Sequence, residues 1–293
     1  MVRSSEIATF LRKELHGDDQ NIETQSSLNS LKPHSVVFAK KYDIDIINKL
    51  NTHNDILAIV APEYSGRLTC THIICDNPRL DYMKTIQMFF YHESELSGID
   101  DSAVIAPNAI IRENTYIGAH CYIGNNVRIG ENTKIFPNTT IMDNTIIGKN
   151  CYIKSGAVIG QPGFGFERDT DGNPIHFPHV GNVVIGDNVY IGANTAIDRG
   201  TIDSTVIEDN VKIDNLVHIA HNVHLCKGAF IIAGTILGGG VKIGKNSWIA
   251  PNVSIKQQLS IGKNALVGLG AVVLKNVDND TVVVGNPAKL LKK

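Results

Sequence analysis

The chain has little net charge, no long apolar run and no cysteine pairing, and each absence removes a class of function. Its formal charge is -2 over 293 residues and its pI is near 6.6, so no basic field steers it to nucleic acid or an anionic membrane. No apolar stretch is long enough to span a bilayer, and the opening MVRSSEIATFLRKEL lacks the apolar centre of a signal peptide. The five cysteines (Cys70, Cys75, Cys121, Cys151, Cys226) are odd in number and lack metal-like spacing. These absences predict a cytoplasmic chain with reduced thiols, no metal site and no nucleic-acid partner.

What is present is a period of six. Aliphatic residues recur every six positions from Ile105 to Ile159, again at Ile185, Ile191 and Ile197, and then from Ile207 to Val273. A strand repeats in two and a helix in 3.6, so this spacing fits neither alone. It predicts a mainly β fold, a left-handed parallel β-helix in which each hexapeptide supplies a short strand and a corner. The next residue is often glycine (Gly118, Gly124, Gly148, Gly192), read here as the demand of a tight corner. Four positions after the aliphatic stands a small or β-branched residue (Ala109, Thr115, Cys121, Val127), as a narrow interior requires. Cys121 and Cys151 therefore read as core. Three faces make eighteen residues per coil, stacked at the strand spacing of ~4.8 Å, or roughly eight to ten coils between residues 100 and 275. The flat outer faces predict a homotrimer with sites in the clefts between prisms.

Residues 1–98 read as a small α/β domain, with helical pattern over 5–15 and 78–91 and apolar runs at 35–38, 56–60 and 72–75. The solenoid follows over 99–275 and a tail over 276–293. An insertion over 160–184, GQPGFGFERDTDGNPIHFPHVGN, interrupts the solenoid, and a shorter one sits around DRGTIDST. Phe164 and Phe166 have no core register, which predicts that they wall a ligand cleft.

The histidines of IDNLVHIAHNVHL carry the chemistry. His221 falls two positions after Ile219, at a corner facing out of the prism, and Gly239 stands one coil above it. Acyl transfer to an amine needs such a pair: an imidazole to take a proton and a backbone N–H to hold the oxyanion. His218 and His224 read as face residues. Cys226 has no nucleophile motif, so direct attack by the amine is expected, without an acyl-enzyme.

GQPGFGF, IGANTAIDRG and DNLVHIAHNV, with SVVFAKKY and CDNPRL in the first domain, resemble the UDP-3-O-acylglucosamine N-acyltransferases of lipid A biosynthesis over residues 5–265. The resemblance implies transfer of a 3-hydroxyacyl group from a thioester to the amine of a nucleotide-linked amino sugar. By motif, His221 would be the general base and Gly239 the oxyanion donor. Asp198 and Arg199 of DRG, Asp214, Asn215, Asn222 and Gln258 would contact substrate, and Phe38 and Tyr42 would sandwich the base.

Three departures qualify it. The family has a second histidine two coils above the first, where this chain has Gln257 and Gln258. The Phe-to-Tyr spacing is two residues shorter, which points toward thymine over uracil. The ending GLGAVVLKNVDNDTVVVGNPAKLLKK is similar to coenzyme A-dependent sugar acetyltransferases. That similarity implies pantetheine contacts at the Gly270 and Ala271 amides and phosphate contacts at Lys275, Lys289, Lys292 and Lys293. The expected co-substrate is a short acyl-coenzyme A, with acyl carrier protein as the alternative donor and no tightly bound cofactor. The product would enter lipopolysaccharide or O-antigen glycan.

Overall fold

The computed structural model describes residues 1–91 and 96–291, and in it the period of six becomes three sheets of 8, 11 and 9 strands, all parallel but for the antiparallel Lys289–Leu290 at the edge of the second. Partner strands lie one coil apart, as in Tyr116 beside Lys134 and Ile117 beside Ile135. The step lengthens only at the interruptions, where Ile147 pairs Ile185 and Ile185 pairs Ile207. The sheets absorb both insertions as loops, with one bulge at Gly160, between Ile159 paired with Ile197 and Gln161 paired with Asp198. The chain forms a left-handed parallel β-helix.

Its core is the aliphatic column: Ile117, Ile135, Ile153, Ile191, Ile213 and Ile231 are all fully buried. Burying each such side chain contributes about 1.5–3 kcal/mol. The buried threonines are satisfied, as where the Thr133 hydroxyl donates to the Gly148 carbonyl at 2.9 Å. Ile213→Ala is expected to cost about 2–5 kcal/mol in urea unfolding, because the stacked coils cannot collapse onto the cavity.

The corner glycines have a different cause from the one the sequence suggested. Gly130 and Gly244 need no left-handed backbone; a Cβ on either would lie 2.6 Å from the carbonyl carbon of the glycine one coil above. The left-handed turn is made by asparagine three positions after the aliphatic, as at Asn126 (φ 56°), Asn132 (φ 58°) and Asn144 (φ 65°).

The chain divides into two compact units, Met1–Glu95 and Leu96–Lys293. The first unit has a five-stranded sheet whose centre is parallel, Ser35–Ala39 beside Leu57–Val60 beside Thr71–Ile74. Its helices are Ser4–Leu11, Ile44–Leu50 and Pro78–Thr85. The first is shorter than the pattern predicted: Arg12 turns left-handed (φ 56°) and Leu15 joins the sheet opposite Ile73. Pro78 opens the third, where the Asn77 side chain accepts the Leu80 N–H at 3.2 Å. Among the described residues no helix is long and apolar enough to cross a membrane.

Candidate active site

His221 follows the strand His218–Ile219, and the left-handed Asn222 (φ 59°) turns the chain behind it. The Asn222 Oδ1 accepts the Thr201 N–H at 3.1 Å and the Thr201 hydroxyl at 2.9 Å. A backbone N–H can only donate, so that side-chain atom is oxygen. It also lies 3.0 Å from His221 Nδ1, which must then carry the proton. His221 Nε2 is left with its lone pair, the form a general base requires. Thr201 belongs to the shorter interruption, so that loop sets the tautomer through Asn222.

Gly239 lies directly against this ring. A Cβ there would sit 2.6 Å from His221 Cε1 and 2.7 Å from Nε2, so only glycine leaves the imidazole in place. Its N–H follows from a rule of the corners. Where an Asp or Asn stands at the same corner one coil on, its side chain caps the amide: Asp143 accepts Asn125 N–H at 2.7 Å, and Asn215 accepts Ala193 N–H at 2.8 Å. Above Gly239 stands Gln257, and the Gly239 N–H has no partner among the described residues. The amide is free to hold an oxyanion.

His221 and Gly239 open into one cleft of about 320 Å³ with Phe164, Asp198, His218 and Gln258. Asp198 is buried, with Oδ2 3.9 Å from His218 Nε2. Burial pushes its carboxyl up against the opposing pull of His218, His221 and His179. Phe166 pairs with Phe164 at 4.9 Å, and the insertion folds back on itself as an antiparallel hairpin, Phe166–Arg168 with Pro174–His176.

Several expected residues lie elsewhere. Arg199 serves the scaffold: Nε donates to the Gly160 carbonyl at 2.6 Å and Nη2 to that of Asp143 at 3.2 Å. Asp214 and Asn215 occupy the preceding corner. Asp214 accepts the Asn215 N–H at 2.8 Å, and the Asn215 side chain caps Ala193. The Gly270 and Ala271 amides are engaged within the solenoid, donating to the carbonyls of Pro251 (2.9 Å) and Gly268 (3.2 Å), so they cannot serve pantetheine. Phe38 and Tyr42 have separate ring partners: Phe38 lies 4.9 Å from Tyr82, and Tyr42 lies 6.0 Å from Tyr64 under the Arg67 guanidinium. Lys275 is exposed and shares the corner column of His221, Gly239 and Gln257. Lys289 pairs with Val284 on a short added strand. Lys292 and Lys293 lie outside the described residues.

One residue escaped the sequence reading. His179 comes from the insertion, is buried, and lies edge-to-face on His221 at 5.2 Å between ring centroids. Its Nδ1 donates to the Phe177 carbonyl at 2.8 Å, while its buried Nε2 lacks a partner among the described residues. Gly163 makes room for it: a Cβ there would lie 3.0 Å from His179 Nε2, 3.2 Å from Asp198 and 3.3 Å from His221. An insertion has no periodic register, so the only signal was a histidine beside Pro178 in a segment opening GQPGFGF.

The family described as bacterial transferase hexapeptide (six repeats) matches residues 97–130 and 126–161, and the hexapeptide repeat of succinyl-transferase matches residues 182–219. The UDP-3-O-acylglucosamine N-acyltransferase of Oleidesulfovibrio alaskensis is 33% identical over 108 residues, 36% of this chain and 30% of that protein. Its counterpart in Aromatoleum aromaticum is 59% identical over 34 residues, 12% of this chain and 10% of that protein. The chain thus spans less than a third of the curated relatives it matches. Among solved structures, the UDP-N-acetylglucosamine acyltransferase of Bacteroides fragilis is similar at TM-score 0.61 and 29% identity, covering 66% of this chain and 74% of that one. The enzyme of the same name from Francisella novicida gives TM-score 0.55 and 32% identity, covering 66% and 68%.

Proposed function

From the premise that the chain belongs to the hexapeptide-repeat transferases, we propose that it is an N-acyltransferase acting on a nucleotide-linked amino sugar. The acyl group, a short 3-hydroxyacyl one, would come from the thioester of acyl-coenzyme A. The observation that carries this reading is the pairing of a His221 Nε2 lone pair with an uncapped Gly239 N–H in a single cleft.

The sugar amine adds to the thioester carbonyl and gives its proton to His221 Nε2. The Gly239 N–H holds the oxyanion of the tetrahedral intermediate. Its collapse breaks the C–S bond, and the leaving thiolate takes the proton back from the imidazolium. The products are an amide and a free thiol. A free amine is already a competent nucleophile, so no acyl-enzyme is required. Asn222 keeps the imidazole in the accepting tautomer, and the Asp198 carboxyl faces the same space.

The corner column supports the donor. His221, Gly239, Gln257 and Lys275 rise in single-coil steps, which sets Lys275 roughly 14 Å from the imidazole at the strand spacing. That distance is comparable with a pantetheine arm, so the lysine would meet coenzyme A phosphate. The second reading is a UDP-3-O-(3-hydroxyacyl)glucosamine N-acyltransferase fed by acyl carrier protein, favoured by the names of the curated relatives. In either case a homotrimer would complete each cleft from a neighbouring prism. Thiol release across a panel of acyl-coenzyme A and acyl-carrier donors, with UDP- and dTDP-amino sugars, decides between them. Saturable release from a short acyl-coenzyme A supports the first reading, and release only from long-chain acyl carrier protein supports the second.

The nucleotide would sit on the first unit, where Phe38, Lys40 and Lys41 line a hollow of about 350 Å³ that Tyr42 does not reach. Base–aromatic stacking is worth about 1–3 kcal/mol. Phe38→Ala is therefore expected to raise KM for the nucleotide sugar roughly 5- to 150-fold while leaving KM for the acyl donor unchanged. Tyr42→Ala should have the smaller effect. Equal effects of the two substitutions would restore the sandwich.

A further inference from the structure

We propose that Glu208, His224 and Cys226 form a divalent-metal site for zinc-like ions, on a corner of the solenoid away from the His221 cleft. Their ligand atoms, one carboxylate oxygen, one imidazole nitrogen and one thiol sulfur, all lie within 4.8 Å of one another. Nitrogen, oxygen and sulfur ligands at bonds of about 2.0–2.3 Å fit such a spread around one tetrahedral ion, with solvent in the fourth position.

The repeat itself marks the place. The residue after the aliphatic in this column is Arg112, Gly130, Gly148, Gly186, Glu208, Cys226, Gly244 and Gly262 in eight successive coils. The glycines are sterically required: a Cβ would meet the next coil at 2.6 Å from Gly130, Gly148 and Gly244, and at 2.4 Å from Gly262. Arg112 at the first coil and Glu208 and Cys226, one directly above the other, are the exceptions.

The protons in the site are arranged as those of a metal-free ligand set. His224 Nε2 donates to Glu208 Oε1 at 2.7 Å, and Cys226 Sγ lies within 4.8 Å of a ligand atom of each. The carboxylate thus holds the imidazole nitrogen where a bound cation would. The other Glu208 oxygen accepts the Lys227 N–H at 2.8 Å. The carboxylate is therefore held through both of its oxygens. Binding converts Cys226–SH to a thiolate–metal bond and releases one proton to solvent, while the His224 ring proton moves to Nδ1 so that Nε2 offers its lone pair. Glu208 comes from one coil and His224 and Cys226 from the next, so the ion would clip two coils together.

The test uses untagged full-length protein titrated with Co²⁺ and then Zn²⁺. The expected result is one Co²⁺ per chain with a thiolate-to-cobalt charge-transfer band, bleached as Zn²⁺ displaces it. Cys226→Ser should abolish the band, Glu208→Gln should weaken Zn²⁺ binding by about tenfold or more, and His221→Ala should change neither. Each of these substitutions is at a side chain outside the aliphatic core, and circular dichroism checks that each variant is folded. Absence of the band, its survival in Cys226→Ser, or its loss in His221→Ala would each overturn the assignment.

Discussion

His221→Ala is expected to lower turnover by about 10²–10⁴-fold, the range for loss of a general base, with thermal unfolding nearly unchanged. The side chain stands at a corner outside the aliphatic column, so its removal leaves no core cavity. KM for either substrate should move little, because the proton transfer belongs to the transition state. Asn222→Ala should reproduce part of the loss, since Nδ1 would lose the acceptor that fixes its proton. A fully active His221→Ala enzyme at neutral pH would mean that the amine loses its proton elsewhere, with Asp198 and His218 the other titratable side chains lining the cleft.

Gly239→Ala is expected to cost about 10²–10³-fold in turnover, the magnitude for loss of an oxyanion donor. Two effects act together. The new methyl would fall 2.6 Å from His221 Cε1, so the imidazole or the coil must move. The same methyl stands beside the uncapped N–H. Gly239→Ala combined with His221→Ala should be little worse than either alone, because both act on one intermediate. A large fall in unfolding temperature with kcat preserved in the folded fraction would make Gly239 a packing residue.

The solenoid was legible because a period of six leaves few alternatives, and the same register put His221 outside the prism and Gly239 above it. Register was silent on reach. Arg199 looked like a substrate contact in DRG, yet its long side chain turns back to two carbonyls of the scaffold. The Gly270 amide looked available, yet its partner is fixed by Pro251 on the preceding coil, which spacing alone cannot show. The glycines were found for the wrong reason, since crowding between coils acts on a different position from the left-handed turn. His179 was invisible because an insertion obeys no period.

The claim most exposed to contradiction is that nitrogen, and not oxygen, is acylated by a thioester under His221 control. Mass spectrometry of the product from a short 3-hydroxyacyl-coenzyme A and a nucleotide-linked amino sugar tests it most directly, with alkaline hydroxylamine to cleave any ester. The expected result is one hydroxylamine-resistant acyl group on the amine per thiol released, with product and thiol both lowered by about 10²-fold or more in His221→Ala. An acyl group removed by hydroxylamine, or undiminished product from the His221→Ala enzyme, would contradict it.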